Sequence, residues 1–483
     1  MRAAKWLVAA GAGLLGACSL APAYQVPAID LPAQYQDEPA PWTPAQPADQ
    51  LPRGSWWTLY HNAELGSLEA QLEQNNPDLA AALAHFDAAR AFDAQVASQQ
   101  YPLVSGVVDA SRDRQSNTRP LRGANEPNEY GSDTAGVGVT YDLDLWGRIR
   151  NEVQAAHAET AAAAGDLASA RLSLEAQLAD DYVALLGMDR EIKLLLDTAD
   201  AYQKALTLTQ TLHEGGVVSG LDVSRAQAQL DNARVQVSDL RAQRALLEHA
   251  IAVLVGVVPA GFSLPPDYTL IELPQIPAGV PSSLLQRRPD IAAAERRTAA
   301  ANASIGVARA AFYPDISLSG LIGVQSTSTS SWFTAPSSIW SIGPNLVQYL
   351  FDGGLRSAQL ARAKAVTTEA GDHYRSVVLE AFRQVEDNLS LLANYQTEST
   401  DQSAEVEATR HTLDLSMEQY RDGAVDYLNV VESQTAALTA QRAQLRLETR
   451  RLRASVNLVR ALGGGWTAAS PDHPASAGTA QAG

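Results

Sequence analysis

Few residues of this 483-residue chain are of types that do chemistry, and their spacing excludes most of it. The eight histidines are scattered, with His85, His157 and His249 in separate helical segments, so they lack the spacing of a zinc site. No glycine-rich loop ends in Gly-Lys-Ser or Gly-Lys-Thr, the arrangement that cradles nucleotide phosphates. A formal charge of −18 argues against nucleic acid, which needs a basic face. Neither an enzyme nor a metal or organic cofactor is expected. The single cysteine, Cys18, excludes an internal disulfide and is the one residue placed for a specific reaction: Arg2 and Lys5 precede the apolar run Trp6 to Leu15, and Leu15-Gly16-Ala17-Cys18 closes it.

That apolar run is shorter than the roughly 20 residues a spanning helix needs, so residues 1–17 read as a secretory signal. The arrangement resembles the lipobox of bacterial lipoproteins, which implies that Cys18 becomes the lipid-bearing first residue of the mature chain. Ser19 rather than aspartate follows it, which in lipoprotein sorting implies the outer membrane. Each buried CH₂ of an acyl chain contributes about 0.8 kcal/mol, so several chains on one cysteine anchor firmly. Residues 18–60 are rich in Pro, Ala and Gln and predict an extended strap rather than a core. The Gly-, Ala-, Ser- and Pro-rich residues 464–483 predict a disordered tail.

The elements between them come in two copies. Asn76-Pro77-Asp78-Leu79 returns as Arg288-Pro289-Asp290-Ile291 and Tyr101-Pro102 as Tyr313-Pro314, at one offset of 212; Gly216, Leu221 and Val223 return as Gly423, Leu428 and Val430 at an offset of 207. The repeats span 61–262 and 281–463, joined by a linker over 263–280. In each, a long proline-free rod carries an apolar heptad seam, Leu178, Leu185, Ile192, Ala199 and Leu206 in the first, Val378, Val385, Leu392, Val406, Leu413 and Tyr420 in the second. Rods of some 65 residues extend for about 100 Å. Shorter helices follow, with Ala226, Ala233, Leu240, Leu247 and Leu254 on one and Val431, Leu438, Leu445, Leu452 and Val459 on the other, so each repeat ends in a helical hairpin. At the two tips Gly216 and Gly423 are expected to end the rods, and Ser219 and Asp426 to cap the helices that follow.

Each repeat also predicts a β-hairpin, at about 103–146 and 315–351. Val137, Val139, Tyr141, Leu143 and Leu145 alternate with Gly136, Gly138, Thr140, Asp142 and Asp144, and Ile316, Leu318, Gly320, Ile322 and Val324 alternate less cleanly with smaller or polar residues. Strands of about ten residues, apolar on one side and polar on the other, with aromatics Tyr141, Trp146, Trp340, Tyr349 and Phe351 near their ends, fit a transmembrane β-barrel. Arg114 to Asp133 and Ser326 to Ser338 are expected to connect the strands of each pair, the first connection being about six residues longer. Four strands per chain cannot close, because lipid does not satisfy an open sheet edge, so two, three or four copies must combine.

At Cys18-Ser19-Leu20-Ala21-Pro22, Trp56-Trp57, Asn76-Pro77-Asp78-Leu79, Tyr141-Asp142-Leu143-Asp144-Leu145-Trp146-Gly147-Arg148, Phe312-Tyr313-Pro314 and Leu350-Phe351-Asp352-Gly353-Gly354 the chain resembles the TolC-like outer-membrane factors, in their NodT-type lipoprotein branch. The resemblance implies a mainly α fold with a transmembrane β-barrel part: a homotrimer whose 12-stranded outer-membrane barrel continues into a long periplasmic α-helical barrel. It implies the exit duct of a tripartite efflux system, fed by an inner-membrane RND-type pump through a periplasmic adaptor. It also implies a gate at the tips, where the family's acidic ring falls on Asn429 and Glu432 and its tyrosine on Tyr420. One acid is thus an amide, and Val425 stands where a basic partner is expected, leaving Arg421 or Asp222 to rebuild the lock. The alternative is a non-conducting, lipid-anchored coiled-coil adaptor, against which the alternating strands speak.

Overall fold

The computed structural model describes residues 19–29, 54–120, 127–276 and 287–464 and divides them between two compact units. Helices α1 (Ala63–Asn75), α2 (Pro77–Ala97), α3 (Arg148–Glu214), α4 (Gly220–Leu254), α5 (Pro289–Ala310), α6 (Leu355–Arg421) and α7 (Tyr427–Ala461) are interspersed with strands β1 (Leu103–Arg114), β2 (Glu129–Asp142), β3 (Asp315–Ser326) and β4 (Ser338–Val347). The duplication shows in the lengths: α3 and α6 have 67 residues each, α4 and α7 have 35 each. Among the described residues no helix is long and apolar enough to cross a membrane.

The first unit, built on His85–Ala163 and Ala293–Tyr374, holds an antiparallel sheet in the order β1-β2-β3-β4. Its register aligns Val104, Val139, Gly320 and Ile342 across all four strands, and likewise Gly106, Val137, Ile322 and Trp340. Paired residues share a face, so most of the apolar residues gather on one side, while Ser105, Gly138, Leu321 and Ser341, then Leu103, Thr140, Ser319 and Gly343, lie on the other, which is the more polar of the two. The apolar side is bare: Ile322 is 68% exposed, Ile342 69% and Trp340 77%.

Three boundaries differ from expectation. β2 begins at Glu129, so its connection to β1 is residues 115–128 and not Arg114 to Asp133; against 327–337 in the second hairpin it is longer by three residues rather than six. β4 ends at Val347. Leu143 and Leu145 leave the strand, because the Leu145 amide turns back onto the Leu143 carbonyl while Asp144 departs to cap α3. Trp146, just past β2, donates its Nε1 to the Pro314 carbonyl at 2.8 Å and stacks its ring on Tyr313.

Helices of this unit form a wall in the same order as the strands. Thr160 on α3 donates to the Ala89 carbonyl of α2, a side chain at Gly306 of α5 would strike Asn151 of α3, and Thr298 of α5 donates to the Ala370 carbonyl of α6. Residues 19–29 form neither helix nor strand and cross this wall: Ser19 donates to Asn151 at 2.8 Å, Arg309 to the Leu20 carbonyl, Asn302 to the Pro22 carbonyl and Tyr24 to Glu295 at 2.6 Å. Cys18 lies outside the described residues.

The second unit holds the main core. Trp56, Trp57 and Tyr60, assigned to the strap by composition, form a buried 3₁₀ turn packed with Leu65, Leu68, Leu178, Leu185 and Val456. Three aromatics bury too much apolar surface to remain in an extended segment. Of the described residues in the 464–483 tail, Gly464 is buried. The heptad residues Leu178, Leu185, Ile192, Leu206, Val378, Val385, Ala226, Ala233, Leu240 and Leu254 are buried as expected. On α7 the stripe falls one residue earlier near the tip, with Val430 and Ala437 buried and Val431, Leu438 and Leu445 half-buried, because Leu438 forms the edge of a second cluster with Ile192 and Leu240.

Glu69 is fully buried in this core, and neither carboxylate oxygen has a hydrogen-bond partner. Burial first, and then the charges of Glu175 and Glu73, push its pKa up to about 10 against the opposing Arg171. Burial likewise raises Glu175 to about 7, although it accepts from Arg171 and Trp56. A raised folded pKa makes the folded state the stronger proton binder between the ordinary carboxylate range and about pH 10, so stability falls as pH rises through that window. Glu69→Gln should therefore melt close to wild type near pH 5 and above it at pH 8, by roughly 2–4 kcal/mol; equal melting curves at both pH values would contradict this.

Candidate functional site

The tips repeat one backbone design. In the first, Val217 N donates to the Leu212 carbonyl and Gly216 N to that of His213, both at 2.9 Å; in the second, Ala424 N donates to Gln419 and Gly423 N to Tyr420. This double bond needs a left-handed residue, and Gly216 and Gly423 have φ of 78° and 74°. Nothing lies within 4 Å of where a side chain would begin at either glycine, so within the chain only the backbone forbids one.

The capping chemistry is not repeated. Asp222 accepts from Ser219 N at 3.2 Å and Ser219 Oγ at 3.1 Å, and pairs with Arg225 at 3.5 Å. Asp426 occupies the same N-cap position without a side-chain cap bond, contrary to expectation. Asn429 and Glu432 replace Asp222 and Arg225 at the 207 offset, and both are exposed. Of the two residues offered for the lock, Asp222 is engaged by Ser219 and Arg225, and Arg421 is exposed at the end of α6.

Beneath this surface lies a tyrosine cluster of which sequence reading found only one member. Tyr420, Tyr202 and Tyr427 pack with Leu206, Ala226, Leu230 and Val430, and the Tyr420 and Tyr427 rings meet edge to face with centroids 5.2 Å apart. Burial raises all three phenols, Tyr202 and Tyr427 up to about 12, and Asp222 adds to the rise at Tyr420 and Tyr427. The Tyr420 hydroxyl is buried and makes no well-formed hydrogen bond; Thr209, the nearest candidate, donates its own proton to the Ala205 carbonyl and offers only an oxygen as acceptor. Tyr202 was detectable, since it stands three residues after Ala199, at the second apolar position of the heptad.

Where strands pass into long helices, the two copies use one device. Asp144 accepts from the amides of Ile149 and Arg150, both at 2.9 Å, and Asp352 from those of Gly354 at 3.0 Å and Arg356 at 3.2 Å. Each carboxylate satisfies helix amides left open by the turn and holds the following arginine.

The sequence pattern of the family described as outer membrane efflux protein matches residues 68–257 and 280–464. The chain belongs to that family. It is 32% identical over 461 residues to the probable efflux pump outer membrane protein TtgC of Pseudomonas putida, covering 95% of each chain. It is 32% identical over 456 residues to the outer membrane protein OprJ of Pseudomonas aeruginosa, covering 94% of each. The solved structure of the outer-membrane channel OprN matches with a TM-score of 0.83 at 32% identity, over 93% of this chain and all of that one. As an outer membrane efflux protein with the TolC-like fold, the chain is a channel component of the outer membrane, and the reading as a non-conducting adaptor is set aside.

An unpartnered buried hydroxyl costs about 1–3 kcal/mol, whereas the tyrosine ring fills core volume. Tyr420→Phe should therefore leave thermal stability unchanged or raised, and Tyr420→Ala should lower it by about 3 kcal/mol. A Tyr420→Phe loss as large as that of alanine would show that the hydroxyl is bonded after all.

Proposed function

We propose that three copies of this chain close a 12-stranded barrel in the outer membrane and form the exit duct of a tripartite efflux pump. One observation carries the reading. The register gathers Val104, Val137, Val139, Ile322, Trp340 and Ile342 on one exposed face and most polar residues on the other, leaving backbone edges, among the described residues, on β1 and β4. Such edges cannot face lipid, and β4 of one copy beside β1 of the next continues the antiparallel order indefinitely until the ring closes. Three copies give a barrel too wide for side chains to fill, hence a duct, with the polar face inside. The name of TtgC, an efflux pump outer membrane protein, supports the efflux setting, in which an inner-membrane pump and a periplasmic adaptor are the partners.

The periplasmic entrance is assigned to the tips, with Asn429 and Glu432 at the constriction and Tyr420 behind it. With Asp222 tied to Arg225, Arg421 is the residue left to rebuild the lock. The hairpin turns at Gly216 and Gly423 offer the adaptor its docking points. Lipid on Cys18 adds an anchor; Ser19, the next residue in the chain, is bonded to Asn151, one turn into α3.

In planar bilayers the purified protein should give trimeric conductance, raised by Glu432→Ala; a lasting absence in both would refute the duct. Ile322→Arg on the lipid face should abolish barrel assembly, at about 2–4 kcal/mol per chain, while Gln325→Arg on the polar face should assemble and alter ion selectivity. Equal tolerance of the two arginines would refute the assignment of faces. Cys18→Ser should form conducting trimers that take up no labelled palmitate; label in that variant would place the acyl chain elsewhere.

A further inference from the structure

The two β-hairpins differ in charge. No Asp, Glu, Lys, Arg or His occurs between Asp315 and Asp352, in a chain of which 19% is charged, so β3, β4 and the turn that joins them are wholly neutral. The first hairpin carries Arg112, Arg114 and Glu129 at its end remote from the helices, and Arg119, Arg122 and Glu126 in its connection. The register fixes the height of each. On the apolar face Val108, Ala135, Val324 and Ser338 form the last row without a charge, and Asp133, level with Ala110 and Ser326, stands one row above. β1 and β2 go on pairing as far as Arg114 and Glu129, whereas β3 stops at Ser326. Residues 327–337 therefore sit where the apolar rows end, and the connection of the first hairpin begins two rows higher.

The neutral turn is built like a segment that leaves water. Phe333 at its middle is 96% exposed, while the polar groups around the ring bond to one another. In two 3₁₀ turns, Thr329–Ser331 and Ala335–Ser337, the amides of Ser331, Trp332, Thr334 and Ser337 all donate within the segment. Ser331 Oγ donates to the Ser328 carbonyl, Thr334 Oγ1 and Ser337 Oγ to the Ser331 carbonyl, and Ser328 and Ser330 share a hydroxyl bond. Trp332 Nε1 donates to the Asp133 carbonyl at 3.1 Å, which ties the turn to β2 at the level of the rim. Hydrocarbon penalises charges and unpaired polar groups far more than water does, so a segment with no charge, its own hydrogen bonds and a bare phenyl ring loses little by entering lipid. In water the same ring stays uncovered. The lipid face of the sheet runs directly into this turn, so the surface that covers the ring is the one already beside it, and Trp332 falls at the headgroup level where barrels carry aromatic girdles.

We propose that residues 327–337 dip into the outer leaflet of the membrane, with Phe333 among the acyl chains, while the connection of the first hairpin stands in water. The insertion rests on the reading of the apolar sheet face as the lipid face. To test it, Phe333→Cys, Asn117→Cys and Ile322→Cys, each in the full chain, are labelled with bimane, and any label taken up by the parent chain is subtracted. The trimers are reconstituted into phosphatidylcholine vesicles with or without a nitroxide high on one acyl chain. The nitroxide should quench the label of Phe333→Cys as strongly as that of Ile322→Cys and several-fold more than that of Asn117→Cys, and aqueous iodide should quench in the reverse order. A Phe333→Cys label that follows Asn117→Cys with both quenchers, while Ile322→Cys is quenched from the lipid, would overturn the insertion and leave the barrel intact. An Ile322→Cys label that escapes the nitroxide would defeat the assignment of faces, and the insertion with it. A Phe333→Arg variant with altered single-channel conductance, together with a Phe333→Cys label that the lipid does not quench, would place the turn over the mouth of the duct and likewise overturn the proposal.

Discussion

A backbone amide or carbonyl placed in hydrocarbon must find a partner in protein, at several kcal/mol for each failure, and this requirement governs the rest of the molecule. Two hairpins paired side by side satisfy their inner ladders and, among the described residues, leave two edges, on β1 and β4. The same requirement acts at the strand ends. There the chain must leave one hydrogen-bonding pattern and enter another, and Asp144 and Asp352 supply acceptors for the first helical amides at that change. Beyond those corners the helices satisfy their own backbone, so 67 residues can continue with no constraint except a buried stripe.

Duplication lets one solution serve twice, and the differences between copies are chemical rather than architectural. The tip turns are the same in backbone, hydrogen bonding and glycine conformation. Their charges are not: the Asp222–Arg225 pair of the first copy becomes an exposed amide and an exposed acid in the second. A closed local ion pair contributes little to stability at the surface, but it removes two charges from the set available to other helices. The buried tyrosines below carry the packing, leaving the surface positions free to vary.

Polar groups buried without partners mark where the fold gives up stability. Glu69 and the Tyr420 hydroxyl are two such groups, one in the main core and one under the tip. Each is surrounded by enough apolar contact to be tolerated, and for Glu69 protonation lowers the cost.

The sequence alone determined what repeats and local periods can express: two copies, long heptad rods, alternating strands, glycine turns at Gly216 and Gly423, and the motifs shared with outer-membrane factors. It could not show that Trp56 and Tyr60 leave a proline-rich run to enter the core, that the α7 stripe shifts toward Val430, or that Asp222 chooses Arg225. Those outcomes depend on which surfaces meet. The tertiary structure also decided the register, and with it the faces. A one-residue slip would turn every second side chain over, and no local pattern in β1 or β4 excludes that slip; only pairing across four strands brings Val104, Val139, Gly320 and Ile342 into one row.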